Sequence, residues 1–165
     1  MSSASPEPAQ TYLQLRQKIL SLTPADLGLE SSSTPDRLWG VLMEIGYEVG
    51  SATLICLADG TTSLYFSTGG GLLGSADYTP LAEASRQLVA EAETQVGQAS
   101  PADEIPLPAA GQVRFTLLTY HGKMTVAFPE NSLADSNHPL SPLYQTGRRA
   151  MSQLHSLSDK KHHPG

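Results

Sequence analysis

The chain has 165 residues, 39% of them hydrophobic and 16% charged, the composition of one globular domain that buries roughly 70% of its unfolded surface. Ten Lys and Arg against sixteen Asp and Glu give a formal net charge of −6, with no basic face to follow a phosphate backbone, so no nucleic acid partner is expected. No apolar run approaches the ~18–20 residues of a membrane span, and MSSASPEPAQ lacks the basic and apolar regions of a signal peptide, so the expectation is a cytoplasmic protein without membrane contact.

Residues 1–9, rich in Ser, Pro and Ala, are expected to be disordered. Residues 10–158 read as a single α+β domain, composed of an N-terminal helix and linker (10–33) and a core (34–158), and residues 159–165 as a polar tail. In the first helix Tyr12, Leu15, Ile19 and Leu22 recur at helical spacing. At Thr34-Pro35-Asp36 a capping hydroxyl, an N1 proline and an early carboxylate coincide, which predicts a second helix with Leu38, Val41, Leu42 and Ile45 on one face and Gly46 as its stop.

A hairpin follows. Its first strand, residues 52–58, is apolar on both faces and belongs in the middle of a covered sheet; Asp59-Gly60 is the turn, read as type I′; the return strand, residues 61–67, alternates Leu64 and Phe66 with Ser63, Tyr65 and Ser67. A glycine-rich link leads to Thr79-Pro80, where a long helix opens with Leu81, Ser85, Leu88, Ala92 and Val96 along one side. Residues 97–111 carry Pro101, Pro106 and Pro108 and read as a long stiffened surface loop. Val113, Phe115 and Leu117, a His121-Gly122 turn, and Met124, Val126 and Phe128 predict a second hairpin. After an irregular stretch, Ser141-Pro142 opens a last helix with Leu143, Gly147, Ala150, Leu154 and Leu157 inward. The predicted order is α-α-ββ-α-ββ-α, a two-layer α+β sandwich whose antiparallel sheet comes from two hairpins flanked by helices.

A helix ending in glycine, the strand SATLICLADG with its Asp59-Gly60 turn, the strand TSLYFS, a Gly-rich link and a closing helix together resemble the roadblock/dynein-light-chain family and the profilin-like architecture around it. The resemblance covers residues 34–157 and implies a non-enzymatic, homodimeric regulatory module that acts on a small GTPase or serves as an adaptor in a larger assembly. An extra N-terminal helix, the STGGGLLG run and the proline-rich loop depart from that family's pattern.

Gly69-Gly70-Gly71-Leu72-Leu73-Gly74 matches GxGxxG by letter, but the strand before it is the return arm of an antiparallel hairpin and the helix opens five residues beyond Gly74. Read as a P-loop, the run has Ser75 where the phosphate-binding lysine belongs. What remains is an anion nest formed by backbone N–H groups of Ser67, Thr68, Gly69, Gly70, Gly71 and Gly74, with Arg114 or Lys123 as countercharge. That is the alternative function, a small-ligand or phosphoryl-group binding protein or enzyme, set against glycines that only supply positive φ. The five histidines have no Cys, Asp or Glu at ligand spacing, so neither metal nor cofactor is expected. A triad of Ser67, His121 and Asp59 lacks a GxSxG elbow, and no catalytic residue is assigned. Cys56, the one cysteine, reads as a small core residue. Trp39 and Met43, off the apolar stripe of the second predicted helix, are the candidate anchors of a protein interface, and the edge of a sheet made from only two hairpins, which needs cover, is a second route to a dimer.

Overall fold

The computed structural model describes residues 8–28, 37–74 and 79–162. Helix α1 (Gln10–Ser21) precedes four strands, β1 (Leu38–Tyr47), β2 (Gly50–Leu57), β3 (Thr62–Phe66) and β4 (Gly71–Gly74). Helix α2 (Thr79–Glu93) follows, then β5 (Ser100–Pro101), β6 (Gln112–Thr119), β7 (Gly122–Pro129), the short α3 (Glu130–Ala134) and the long α4 (Ser141–His162). The strands form one seven-stranded antiparallel sheet in the order β4-β3-β2-β1-β6-β7-β5, so the fold is α+β.

The second predicted helix is instead β1, the central strand. Leu38, Val41, Leu42 and Ile45 fit a helical stripe only because β1 is covered on both faces, so apolar residues fill both sides and the period-2 signal disappears. Leu38, Val41, Met43 and Ile45 join Leu54, Cys56, Leu81, Leu88, Phe115 and Leu154 in the core under α2 and α4. Trp39 and Leu42 point the other way, to Leu20 of α1, Ile55, Ile105 and Leu118. A bulge between Leu38 and Gly40 shifts the register against β6. Thr34-Pro35-Asp36 lies outside the described residues.

Gly46 ends no helix. It lies within β1, where a Cβ would strike the backbone carbonyls of Ala109 and Pro108, and its own carbonyl accepts the Gly111 N–H at 2.9 Å. The bare Cα therefore lets the proline-rich segment cross against the central strand.

The first hairpin pairs β2 with β3 as the alternation predicts, but its turn is not type I′. Gly60 N–H donates to Leu57 O at 2.9 Å and Leu57 N–H to Thr61 O at 3.0 Å. Only Gly60, at φ 97°, takes positive φ there, which is the three-residue loop closed by a left-handed glycine. Asp59 contributes its side chain, accepting the Thr61 N–H at 2.8 Å. The glycine-rich link that follows is itself a hairpin arm, β4, paired with β3.

Helix α2, the β6–β7 hairpin and α4 occur where the sequence predicts them. The backbone of α4 stays helical to His162, through part of the expected tail, and Ala9 is tied to Ser67 O by a 2.7 Å hydrogen bond although residues 1–9 were expected to be disordered; residues 1–7 are outside the described set. The 97–111 stretch is mostly irregular, yet β5 pairs with β7 and Ile105 is buried against the face that α1 covers. Helices thus lie on both faces of the sheet, where a two-layer arrangement of order α-α-ββ-α-ββ-α was expected.

Helix α1 is held by a buried polar chain. Arg16 forks onto Glu44, Nε to Oε2 at 2.6 Å and Nη2 to Oε1 at 2.9 Å, and donates to Ile105 O at 2.8 Å. The Thr53 hydroxyl donates to Glu44 Oε2 at 2.7 Å, so the Tyr12 hydroxyl, 2.7 Å away, donates to Thr53 and accepts from Ser51 at 3.0 Å. Burial pushes the Arg16 guanidinium down, but the hydrogen bonds and charge of Glu44 outweigh it and leave the pKa raised. Every charge in this chain is met by a fixed partner, the condition under which buried ions are tolerated.

Candidate interaction edge

β4 is the outermost strand of the sheet, and two of its four residues, Gly-Leu-Leu-Gly, are glycine. Both strand glycines have packing reasons. A Cβ on Gly71 would come within 2.7 Å of the Tyr65 ring and 2.8 Å of Leu64 O, and one on Gly74 would run into Leu81.

The direction of the β4 backbone groups follows from register. Phe66 N–H donates to Gly70 O at 3.1 Å, and bonded pairs alternate along an antiparallel ladder, so Leu64↔Leu72 and Thr62↔Gly74 are the bonded pairs. Gly71 and Leu73 then direct their N–H and C=O groups away from β3, to the open edge, where no described strand meets them. Natural edge strands are usually blunted by a charge, a proline or a bulge. β4 has none of these, and its Leu73 is 65% exposed.

Residues directly opposite across a ladder share a face, which places Gly71 and Leu73 beside Tyr65 and Ser63, on the α1 side. There α1 stops short of the sheet margin. A groove of about 250 Å³ runs between helix and hairpin, lined by Thr11, Tyr12, Leu15, Tyr65, Phe66 and Leu73 with the hairpin glycines. A neighbouring groove of about 200 Å³ continues along Leu15, Ile19, Ile55, Leu57 and Tyr65. Open backbone edge and apolar trough are therefore one continuous surface.

The residues singled out in the sequence fall in different places. Trp39 and Met43 are 2% and 0% exposed on opposite faces of β1, so neither is an anchor for a partner; the aromatic that looked unpartnered on a helix has its partners across a strand, with Nε1 donating to Thr119 O at 3.2 Å. Gly69 and Gly70, at φ 113° and 83°, form the tip of the β3–β4 hairpin. Gly69 N–H is spent on Phe66 O, Ser67 N–H on Ser51 O, and Ser67 Oγ accepts the Ser51 N–H at 2.7 Å. Thr68 is exposed beside them, and Gly74 closes the strand. Arg114 and Lys123 sit on β6 and β7, four or more strand spacings from β4, about 19 Å or beyond, so the geometry does not bring a countercharge to the glycines.

Ser67 and Asp59 lie at opposite ends of the five-residue β3, about 17 Å apart, and His121 occupies the β6–β7 turn, so the three do not meet. Among the described residues no three His, Cys, Asp or Glu side chains cluster as metal ligands would, and no helix is long and apolar enough to cross a membrane. Cys56 is fully buried, and burial pushes its thiol up to about 12 against a weaker opposing hydrogen bond with Ser85. A sheet edge in need of cover was expected, but β4 as the strand that forms it was missed, because its signal, an uncharged Leu-Leu between glycines, is indistinguishable from a flexible link.

No protein family model, no curated protein and no solved structure matches this chain.

Proposed function

We propose that the chain is a non-enzymatic cytoplasmic interaction module, of the roadblock or profilin-like kind, that docks a protein partner by strand addition at β4. The observation that carries this reading is the pairing of an uncharged open edge, with Leu73 exposed on it, to the apolar trough beside α1. Strand addition draws affinity from main-chain hydrogen bonds and specificity from pockets for alternate side chains, and β4 offers both. Such a module regulates a small GTPase or serves as an adaptor by presenting a surface, with no need for reacting groups.

The test is a photo-crosslinker in place of Leu73 in the full chain, expressed in its own cells, with the same group in place of the exposed Glu83 of α2 as control. Protein adducts formed from position 73 and not from 83 are the expected result. A chain that forms no protein adduct from position 73 is not an edge-docking module.

A further inference from the structure

We infer that the sheet face beneath α1 is a helix-docking groove that α1 fills as a placeholder, and that its outside occupant is an amphipathic helix of a protein partner with an aromatic hydroxyl, an arginine and an aliphatic residue at positions i, i+4 and i+8. Those are the positions of Tyr12, Arg16 and Leu20, the three buried residues of α1. The groove lies inboard of the β4 edge, on β1, β2 and β6, and is a separate surface.

Helix α1 sits on the sheet unlike the other long helices. α2 and α4 pack backbone-close against strands and against each other, whereas α1 is held off the sheet by the length of its own side chains. Grooves open along both flanks, about 250 Å³ toward the β3–β4 hairpin and about 640 Å³ toward Glu104, Pro106 and Lys123. Its N-cap, Ala9, gives no side-chain hydrogen bond, and twelve residues make a marginal helix without tertiary support. α1 therefore owes its helicity to this groove, as an exchangeable helix does.

The groove asks for a particular helix. Its floor is Leu42, Ile55 and Leu118, yet Glu44 stands beside them on the central strand, fully buried. An apolar residue there, facing an apolar one at position 16, would hold α1 at least as well. The carboxylate instead discriminates. Its two oxygens, set against Nε and Nη2 of Arg16 at 2.6 and 2.9 Å, fit the planar fork of arginine and not the single ammonium of lysine. Thr53 extends the selection to the Tyr12 hydroxyl, 2.7 Å away. A helix without the arginine strands Glu44 with no counterion, so the negative charge under α1 dictates the positive group that any replacement must bring. Because α1 is tethered, an outside helix binds in proportion to the fraction of chains whose α1 is released.

The experiment is fluorescence anisotropy of a labelled, ~18-residue alanine-based helix, with Tyr, Arg and Leu at that spacing and Gln on its outer face, titrated with the full chain. Binding should saturate. Arg16→Gln and Tyr12→Phe, which loosen α1, should tighten it by at least ~10-fold and ~3-fold, whereas Glu44→Gln should weaken it by at least ~10-fold. A purely structural ion pair gives no such opposite response, because loss of either member loosens the fold alike. Lysine in place of the peptide's arginine should cost at least ~10-fold, and Leu73→Lys should change nothing. In the unsubstituted protein, saturating peptide should speed hydrogen exchange at the α1 amides and leave those of β1 protected. If Arg16→Gln does not fold, Tyr12→Phe and the exchange measurement decide. A peptide that binds no form of the chain, binds Arg16→Gln and Glu44→Gln alike, tolerates lysine, or leaves α1 exchange unaltered overturns the inference. Loss of binding in Leu73→Lys would put the peptide on the β4 edge and overturns it too. A dimer in sedimentation that the peptide dissociates would make a second copy the occupant and overturns the partner helix.

Discussion

Arg16 of the first helix and Glu44 of the central strand form a two-point ion pair at 2.6 and 2.9 Å, 28 residues apart in sequence and closed off from water. It fastens α1 to the sheet at the strand that both halves of the sheet share, and through Ile105 O it fastens the proline-rich segment as well.

Removing one member leaves the other charged and without its counterion in the interior. Arg16→Met is expected to cost about 3–5 kcal/mol. Replacing both, Arg16→Met with Glu44→Leu, should recover most of that loss, because two apolar side chains leave no uncompensated charge. Urea unfolding of the two single variants and the double variant measures it, and a double variant no more stable than the singles contradicts the assignment.

Two glycines of the same chain should respond differently to a methyl group. Gly46→Ala forces a Cβ against the carbonyls of Ala109 and Pro108, backbone that cannot swing aside, and is expected to cost about 1–3 kcal/mol or more. Gly69→Ala meets nothing within 4 Å and suffers only its φ of 113°, about 1–2 kcal/mol. In the first variant amide exchange should quicken around Gly111 as well, whose N–H bonds Gly46 O. In the second it should quicken only at the hairpin tip.

The Cys56 thiol rises from 9 in the unfolded chain to about 12 in the folded one. A folded pKa above the unfolded value means that the native state keeps a proton the unfolded state gives up. The contribution is full below pH 9 and is lost as pH climbs from 9 to 12. Melting temperature should therefore fall across that window, less steeply in Cys56→Ala, whatever its stability at neutral pH. The native thiol should also react with a disulfide reagent no faster than the protein unfolds.

Trp39 is the only tryptophan and is 2% exposed. Its fluorescence should show the blue-shifted maximum of a buried indole and resist iodide quenching at all protein concentrations. An emission that shifts on dimerisation would mean that Trp39 lies at an interface after all.

The sequence made some elements plain and hid others for physical reasons. α2 and α4 were legible because each begins with a hydroxyl residue and proline and keeps an apolar face at helical spacing. β6 and β7 were legible because they alternate. β1 was not, since burial on both faces erased its period, and its clue was the β-rich makeup of Trp39, Val41 and Ile45 near apolar Met43. β4 was hidden by its glycines, and β5 by having only two residues. The glycine run was recognised as special, but for φ and anions; Leu73 within it drew no notice. Arg16 and Glu44 gave no local signal at all, because neither helical nor strand periodicity says that a charged residue faces inward.

The place of β1 in the sheet has a consequence for synthesis. One side of β1 pairs with β2, the next strand made, whereas the other must wait for β6, whose first residue is Gln112. Until that strand emerges from the ribosome, a ten-residue, mostly apolar strand offers a bare flank to any neighbour, with the N-terminal four-strand meander already able to form around it. The middle of the finished sheet is thus a seam that stays open until half the chain beyond it has been made, and a chain stalled before residue 112 would be the form of this protein most in need of a chaperone.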